Sequence, residues 1–177
     1  MSPSTPTCVN SSQQHRDQAP EILQFAVITV SDTRTIETDR SGQLIVEQMS
    51  GKGHRMLGRD IVPDEPDRIV AAIDRLRRHR ELDVILVTGG TGLSPRDRTP
   101  EAVAPLLDLE IPGFGELFRY LSYLEIGAAA MLSRALAGRA GHQLIFCLPG
   151  STAAVRLALE KLLLPELPHI VFHARNP

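Results

Sequence analysis

Apolar residues fall along this chain in two rhythms. In Phe25-Ala26-Val27-Ile28-Thr29-Val30, in Val84-Ile85-Leu86-Val87 and from Gln143 to Leu148 they are nearly continuous. Such short runs predict strands buried on both faces of a sheet. Elsewhere they recur at helical spacing. Ile69, Ala72, Ile73 and Leu76 fall at i, i+3, i+4 and i+7, one face of a helix. That helix is expected to begin at Asp64-Glu65-Pro66, with proline near the first turn. Ser41 to Ser50 predicts a short helix closed by Gly51 and Gly53, and Arg55 to Val62 a second strand with weaker patterning. Thr99 is expected to cap a helix that has Pro100 at its first position and Glu101 in its first turn.

Ile111-Pro112-Gly113-Phe114-Gly115 is expected to break the chain, and Glu116 to Leu124 and Ala128 to Ala137 to form two further helices. After the strand at Gln143 to Leu148, Pro149-Gly150-Ser151 leads into a helix with Val155, Leu159 and Leu162 on one face. Pro165 and Pro168 are expected to end it, and Ile170-Val171-Phe172 to form a last strand. Strands that alternate with helices imply the α/β class, with a mostly parallel central sheet and helices on both sides.

Composition narrows the picture. A chain of 177 residues, 42% of them hydrophobic and 23% charged, is expected to build one domain over residues 21–177. Residues 1–20 are rich in Ser, Thr, Gln and Pro without an apolar stretch, and read as a disordered tail and not a secretory signal. The formal net charge of −2 argues against nucleic acid and membrane surfaces as partners. No apolar run reaches the roughly 18 residues of a membrane span. Cys8 and Cys147 form no metal or redox motif, so a reducing, cytoplasmic setting is expected, with Cys147 a small buried hydrophobe.

The chemistry gathers where strands stop. After Val87 the chain reads Thr88-Gly89-Gly90-Thr91-Gly92-Leu93-Ser94-Pro95-Arg96-Asp97-Arg98-Thr99. A buried strand that ends in glycines and passes to a helix is where open α/β sheets bind ligands. The segment reads either as a tight βα turn or as a cradle whose backbone N–H groups approach a phosphate. Ser94, Arg96, Arg98 and Thr99 add donors beside it, and Pro149-Gly150-Ser151 supplies a second strand–turn–helix junction. Ser31 and Asp32 follow the first strand. Asp97 reads as an Asx turn or as a Mg²⁺ ligand, because Mg²⁺ is held by one or two carboxylates together with phosphates and water. Asp64 carries the same ambiguity as an N-cap, and Asp32 and Asp39 share it. Arg34, Arg119 and Arg134 are guanidiniums suited either to phosphate or to surface ion pairs. His169 and His173 stand four apart, but the expected strand around them argues against a ligand-bearing helix.

Several of these segments together resemble the MoaB/MogA family of molybdenum-cofactor biosynthesis. They are Val30 to Thr35, Thr88 to Asp97, Pro112-Gly113-Phe114-Gly115-Glu116, Leu132-Ser133-Arg134-Ala135 and Leu148-Pro149-Gly150-Ser151. The resemblance runs from about Phe25 to about Leu164, and Phe118 to Gly127 is closer to the MoaB branch. It implies a three-layer α/β/α fold of Rossmann-like topology that assembles as a homotrimer or homohexamer. It implies molybdopterin and ATP as substrates, Mg²⁺ as the cation, and other proteins of the pathway as further partners. The reaction implied is transfer of AMP from ATP to the terminal phosphate of molybdopterin, with release of pyrophosphate. The family's two aspartates match Asp64 and Asp97, which would hold Mg²⁺. Gly89, Gly90, Thr91 and Gly92 would offer backbone donors. Ser94, Arg96 and Ser151 would contact phosphate, and Glu116 and Ser133 the pterin, with Ser31, Asp32, Gly113, Pro149 and Gly150 completing the binding set. One departure is Arg98, where the family usually has an apolar residue.

The competing reading is a protein of the same pathway that binds or carries molybdopterin without catalysis. A nucleotide-binding regulator on a Rossmann-like sheet is a third class, and it would not need the Pro112 to Glu116 and Leu132 to Ala135 motifs.

Overall fold

The three apolar runs become the centre of a six-stranded sheet. The computed structural model describes residues 19–175. Except for its last two residues, the tail expected over 1–20 lies outside the described residues, as does Cys8. In chain order the elements are β1 (Gln24–Val30), α1 (Arg40–Gly51), β2 (Arg55–Val62), α2 (Pro66–Arg77), β3 (Val84–Thr88) and α3 (Thr99–Val103). They continue with β4 (Leu109–Glu110), α4 (Pro112–Ile126), β5 (Leu136–Ala140), β6 (Gln143–Leu148), α5 (Thr152–Ala158) and α6 (Leu164–Arg175). The sheet order is β2-β1-β3-β6-β5-β4. The first four strands in that order run parallel, while β5 is antiparallel to both of its neighbours.

Alternation within each run explains the layers. Phe25 and Val27, Val84 and Leu86, and Leu144, Phe146 and Leu148 all bury on one face, under α1, α4, α5 and α6. Ala26 and Ile28, Ile85 and Val87, and Ile145 and Cys147 bury on the other, under α2 and α3. Each fully buried side chain of this size contributes about 1.5–3 kcal/mol. The result is the three-layer α/β/α fold. Val30, Thr88 and Leu148 end at one level because Thr29 pairs with Thr88 and Thr88 with Leu148. No helix among the described residues is long and apolar enough to cross a membrane.

Four local expectations are corrected. Pro112 to Gly115 does not break the chain but forms the first turn of α4, with Pro112 at its start, where a missing N–H costs nothing. Gly115 lets this helix lie close to β5, for a Cβ there would sit 2.9 Å from the Ala135 carbonyl oxygen. Ala128 to Ala137 is not an α-helix. A 3₁₀ turn covers Gly127–Leu132, and the chain then extends into β5, where pairing with β6 overrides helix propensity.

Ile170 to Phe172 is not a strand but part of α6, reached through a π-helical turn at Leu159–Leu163. Pro165 sits in the first turn of α6, and Pro168 lies inside it. Leu167, Val171 and Ala174 bury against the core, and this burial outweighs the roughly 3 kcal/mol that an interior proline costs. Finally, Thr99 does not cap α3: Arg98 holds the N-cap position, and the Thr99 hydroxyl is buried without a partner.

Candidate functional site

The C-terminal ends of β1, β3 and β6 open into a crevice of about 520 Å³. Its floor is the turn after β3. Gly89 and Gly90 have φ of 105° and 64°, backbone that side chains rarely adopt. The Gly89 N–H donates to Leu148 O at 3.0 Å, which joins this turn to the end of β6. The Thr88 hydroxyl donates to Pro149 O at 2.9 Å, and Ser41 Oγ at the start of α1 donates to Gly150 O at 2.7 Å. Two strand ends and a helix start are thereby tied around one opening.

Asp97 lines the crevice, and its Oδ2 accepts the N–H of Ser94, three residues back, at 3.0 Å, which closes the loop without an Asx turn. Asp64 stands beside the same loop. A Cβ on Gly90 would lie 2.8 Å from Asp64 Oδ2, and one on Gly92 would lie 2.8 Å from Asp97 Oδ2. Asp64 is not the N-cap of α2. Glu65 holds that position, and Asp64 Oδ1 instead accepts the Arg98 N–H at 3.3 Å. Asp32 links three loops: it accepts the Asp64 N–H at 3.2 Å and pairs with Arg96 Nη2 at 2.6 Å.

Charge at this lip is negative and crowded. Burial pushes the Asp64 carboxyl above its ordinary range; the Arg98 N–H works against this, and the charges of Asp97 and Asp32 add to it. The hydrogen bond from Arg96 holds Asp32 below the usual range. A bound cation would relieve the crowding around Asp64. Among the described residues, no three side chains of His, Cys, Asp or Glu converge as a complete ligand set. A site built on two carboxylates suits a cation that brings phosphate and water with it.

Two further polar atoms are left open. Ser133 Oγ is buried without a partner at the crevice wall, and Thr99 Oγ1 is buried without one beside Gly90. Arg134 is spoken for. Its Nε donates to Gly92 O at 2.9 Å, its Nη2 to Asp97 O, and its Nη1 pairs with Glu101. It therefore clamps the glycine loop from behind.

The structure gathers Ser31, Gly89, Gly90, Thr91 and Gly92 around the opening, with Asp97, Ser133, Pro149 and Gly150. Asp32, Asp64, Ser94 and Arg96 meet one another at its lip. Ser151 caps α5, accepting the Ala154 N–H. Gly113 and Glu116 are not brought there: Gly113 borders an apolar depression between α4 and α6, and Glu116 a shallow one with Arg119 beside Leu136. Thr33, at the expected ligand edge, and Thr88 and Leu132, within the motifs, also line the wall, while sequence reasoning missed Thr29 and Ser41. The available signal for Thr29 was a hydroxyl near the end of an apolar run, as at Thr88. Asp39 is also part of the wall, but its carboxylate is taken up by Gly42 N, Thr29 Oγ1 and Arg59.

Residues 26–169 match a family described as "Probable molybdopterin binding domain". The molybdenum cofactor biosynthesis protein B of Bacillus cereus is 51% identical over 163 residues, 92% of this chain and 96% of that protein. A crystal structure of a molybdenum cofactor biosynthesis protein B, 50% identical, aligns with a TM-score of 0.87 over 90% of this chain and 100% of its own. The tungsten cofactor synthesizing protein MoaB from Pyrococcus furiosus, 40% identical, aligns at 0.80 over 89% of this chain and 100% of its own.

Proposed function

The chain belongs to the molybdopterin-binding domain family of molybdenum cofactor biosynthesis, and from that premise we propose that it transfers AMP from ATP to the terminal phosphate of molybdopterin. The observation that carries the reading is one glycine loop flanked by two carboxylates from different segments, one of them held above its ordinary range. The orphaned Thr99 and Ser133 hydroxyls support it, because a buried polar atom without a partner is rare unless a ligand supplies one.

A phosphate oxygen of molybdopterin attacks the α-phosphorus of ATP. The new P–O bond forms as the bond to pyrophosphate breaks, and pyrophosphate leaves with the electron pair. No covalent link to the protein is needed, so positioning and charge neutralisation carry the rate. Asp64 and Asp97 would hold Mg²⁺, which when bound offsets the negative charge of the triphosphate. The amides of Gly90, Thr91 and Gly92 donate to phosphate oxygens; the Gly89 amide, held by Leu148 O, fixes the turn that presents them. Ser133 donates its hydroxyl to the bound pterin. Arg134 keeps Gly92 and Asp97 in register with each other.

Self-association is part of this reading. Leu117, Tyr120, Tyr123, Leu124 and Ile126 leave a broad apolar face exposed on α4, a surface suited to the contacts of a homotrimer or homohexamer. The test of the activity is pyrophosphate release on adding molybdopterin to protein with Mg²⁺ and ATP. It is expected from the parent and lost in Asp97→Ala, while pterin binding is retained. Undiminished release in that variant removes the role of Asp97.

A further inference from the structure

The sequence places His169 and His173 four residues apart, and their position in α6 rather than a strand turns that spacing into adjacency. Leu167, Val171 and Ala174 bury against the core. Glu166, His169 and His173 therefore share a neighbouring face, one turn above another. The two imidazoles stand at 62° to each other, with ring centres 4.7 Å apart and Nε2 atoms 3.0 Å apart. His169 Nδ1 lies 3.2 Å from a Glu166 carboxylate oxygen.

The two imidazoles thus share a hydrogen bond across their Nε2 atoms, with one carboxylate behind His169. A carboxylate on Nδ1 selects the tautomer with its proton there, so His169 Nε2 carries a lone pair facing His173. We propose that His169 and His173 bind one divalent transition-metal ion through their Nε2 atoms, at a site separate from the crevice, the ion replacing the hydrogen bond between them as the His173 imidazole changes tautomer and its Nε2 proton passes through solvent to Nδ1. With metal–nitrogen bonds of about 2.0–2.1 Å, donors 3.0 Å apart subtend about 91–97° at the ion. That is the cis angle of square-planar or octahedral coordination, not the wider tetrahedral one. The geometry therefore selects Cu²⁺ and Ni²⁺ over Zn²⁺, and nitrogen donors suit both. No third His, Cys, Asp or Glu completes the set among the described residues.

The test is calorimetric titration of the full chain, freed of metal with EDTA, using Cu²⁺, Ni²⁺ and Zn²⁺ separately. One equivalent of Cu²⁺ is expected to bind most tightly, then Ni²⁺, then Zn²⁺. His169→Ala and His173→Ala each weaken Cu²⁺ binding by more than tenfold, and Glu166→Gln weakens it by about tenfold through the lost outer-shell bond. His142→Ala, at an imidazole elsewhere on the surface, leaves binding unchanged. Circular dichroism checks that each variant keeps its fold. Failure of the parent to bind any of the three ions overturns the proposal, as does unaltered affinity in His173→Ala. Tightest binding of Zn²⁺ overturns the cis geometry at the ion.

Discussion

Replacing Gly90 by alanine puts a methyl group where no atom fits. The Cβ would overlap Thr99 Oγ1 and lie 2.8 Å and 3.1 Å from the two oxygens of Asp64. The backbone adds its own cost. At φ of 64° the left-handed conformation costs a side-chain-bearing residue about 1–2 kcal/mol. Overpacking around a buried threonine adds about 1–3 kcal/mol. The expected loss is about 2–5 kcal/mol, a large share of the roughly 5–15 kcal/mol that holds a domain folded. In a chain of this size it lowers Tm by roughly 4–20 °C.

Two companions sharpen the test. Gly150→Ala places its Cβ 3.4 Å from the nearest atom, Gly89 Cα, an ordinary contact, and stays within about 0.5 kcal/mol of the parent. Thr99→Ala removes the overlapping hydroxyl, which has no partner to lose. Combined with Gly90→Ala, it recovers most of the steric part, so the double-mutant cycle shows coupling of about 1–3 kcal/mol. Urea unfolding of all four variants measures it. A Gly90→Ala protein as stable as Gly150→Ala, or a double variant whose losses merely add, refutes this packing of the loop.

Other consequences follow from single residues. Arg134→Ala frees Gly92 O, Asp97 O and Glu101 together, and is expected to cost about 1.5–3 kcal/mol in urea unfolding; lysine, with one point of donation, restores only part of it. The Asp64 carboxyl, raised in the folded state, favours folding below the ordinary carboxylate range and loses that contribution as pH rises through its native value. Asp64→Asn in EDTA is therefore expected to melt higher than the parent near pH 7 and to converge with it in acid; a lower melting point at pH 7 contradicts this. If Asp64 holds Mg²⁺ as proposed, calorimetric titration is expected to find parent Mg²⁺ affinity rising over the same pH window. Burial pushes the Cys147 thiol up to about 12, so mass spectrometry is expected to find the Cys147 peptide unalkylated in native protein at pH 8 and modified only after unfolding.

Much of the fold was legible because strands buried on both faces leave continuous apolar runs. Phe25 to Val30, Val84 to Val87 and Gln143 to Leu148 announce the parallel centre, and the polar turns after them announce the crevice. The C-terminal half was less legible. Pro168 reads as a stop, yet tertiary burial of Leu167 and Val171 keeps the helix going through it. Ala128 to Ala137 has helix formers, yet β6 offers an open edge that takes Leu136 onward as a strand. In the site, Asp64 was found only with its role divided, because a residue just before Glu65-Pro66 looks like a cap. Which loop receives its carboxylate depends on the parallel register of β1, β2 and β3, and that register is not local information. Gly113 and Glu116 carry a recognisable motif, but their distance from the crevice emerges only once α4 is packed on β5.

The most direct measurement is the mass of the pterin recovered after incubation with this protein, Mg²⁺ and ATP. Adenylyl transfer predicts molybdopterin heavier by one AMP group, formed in step with pyrophosphate and absent with Asp97→Ala. Molybdopterin that binds and is recovered unchanged, at saturating ATP and Mg²⁺, would contradict catalysis and leave a carrier.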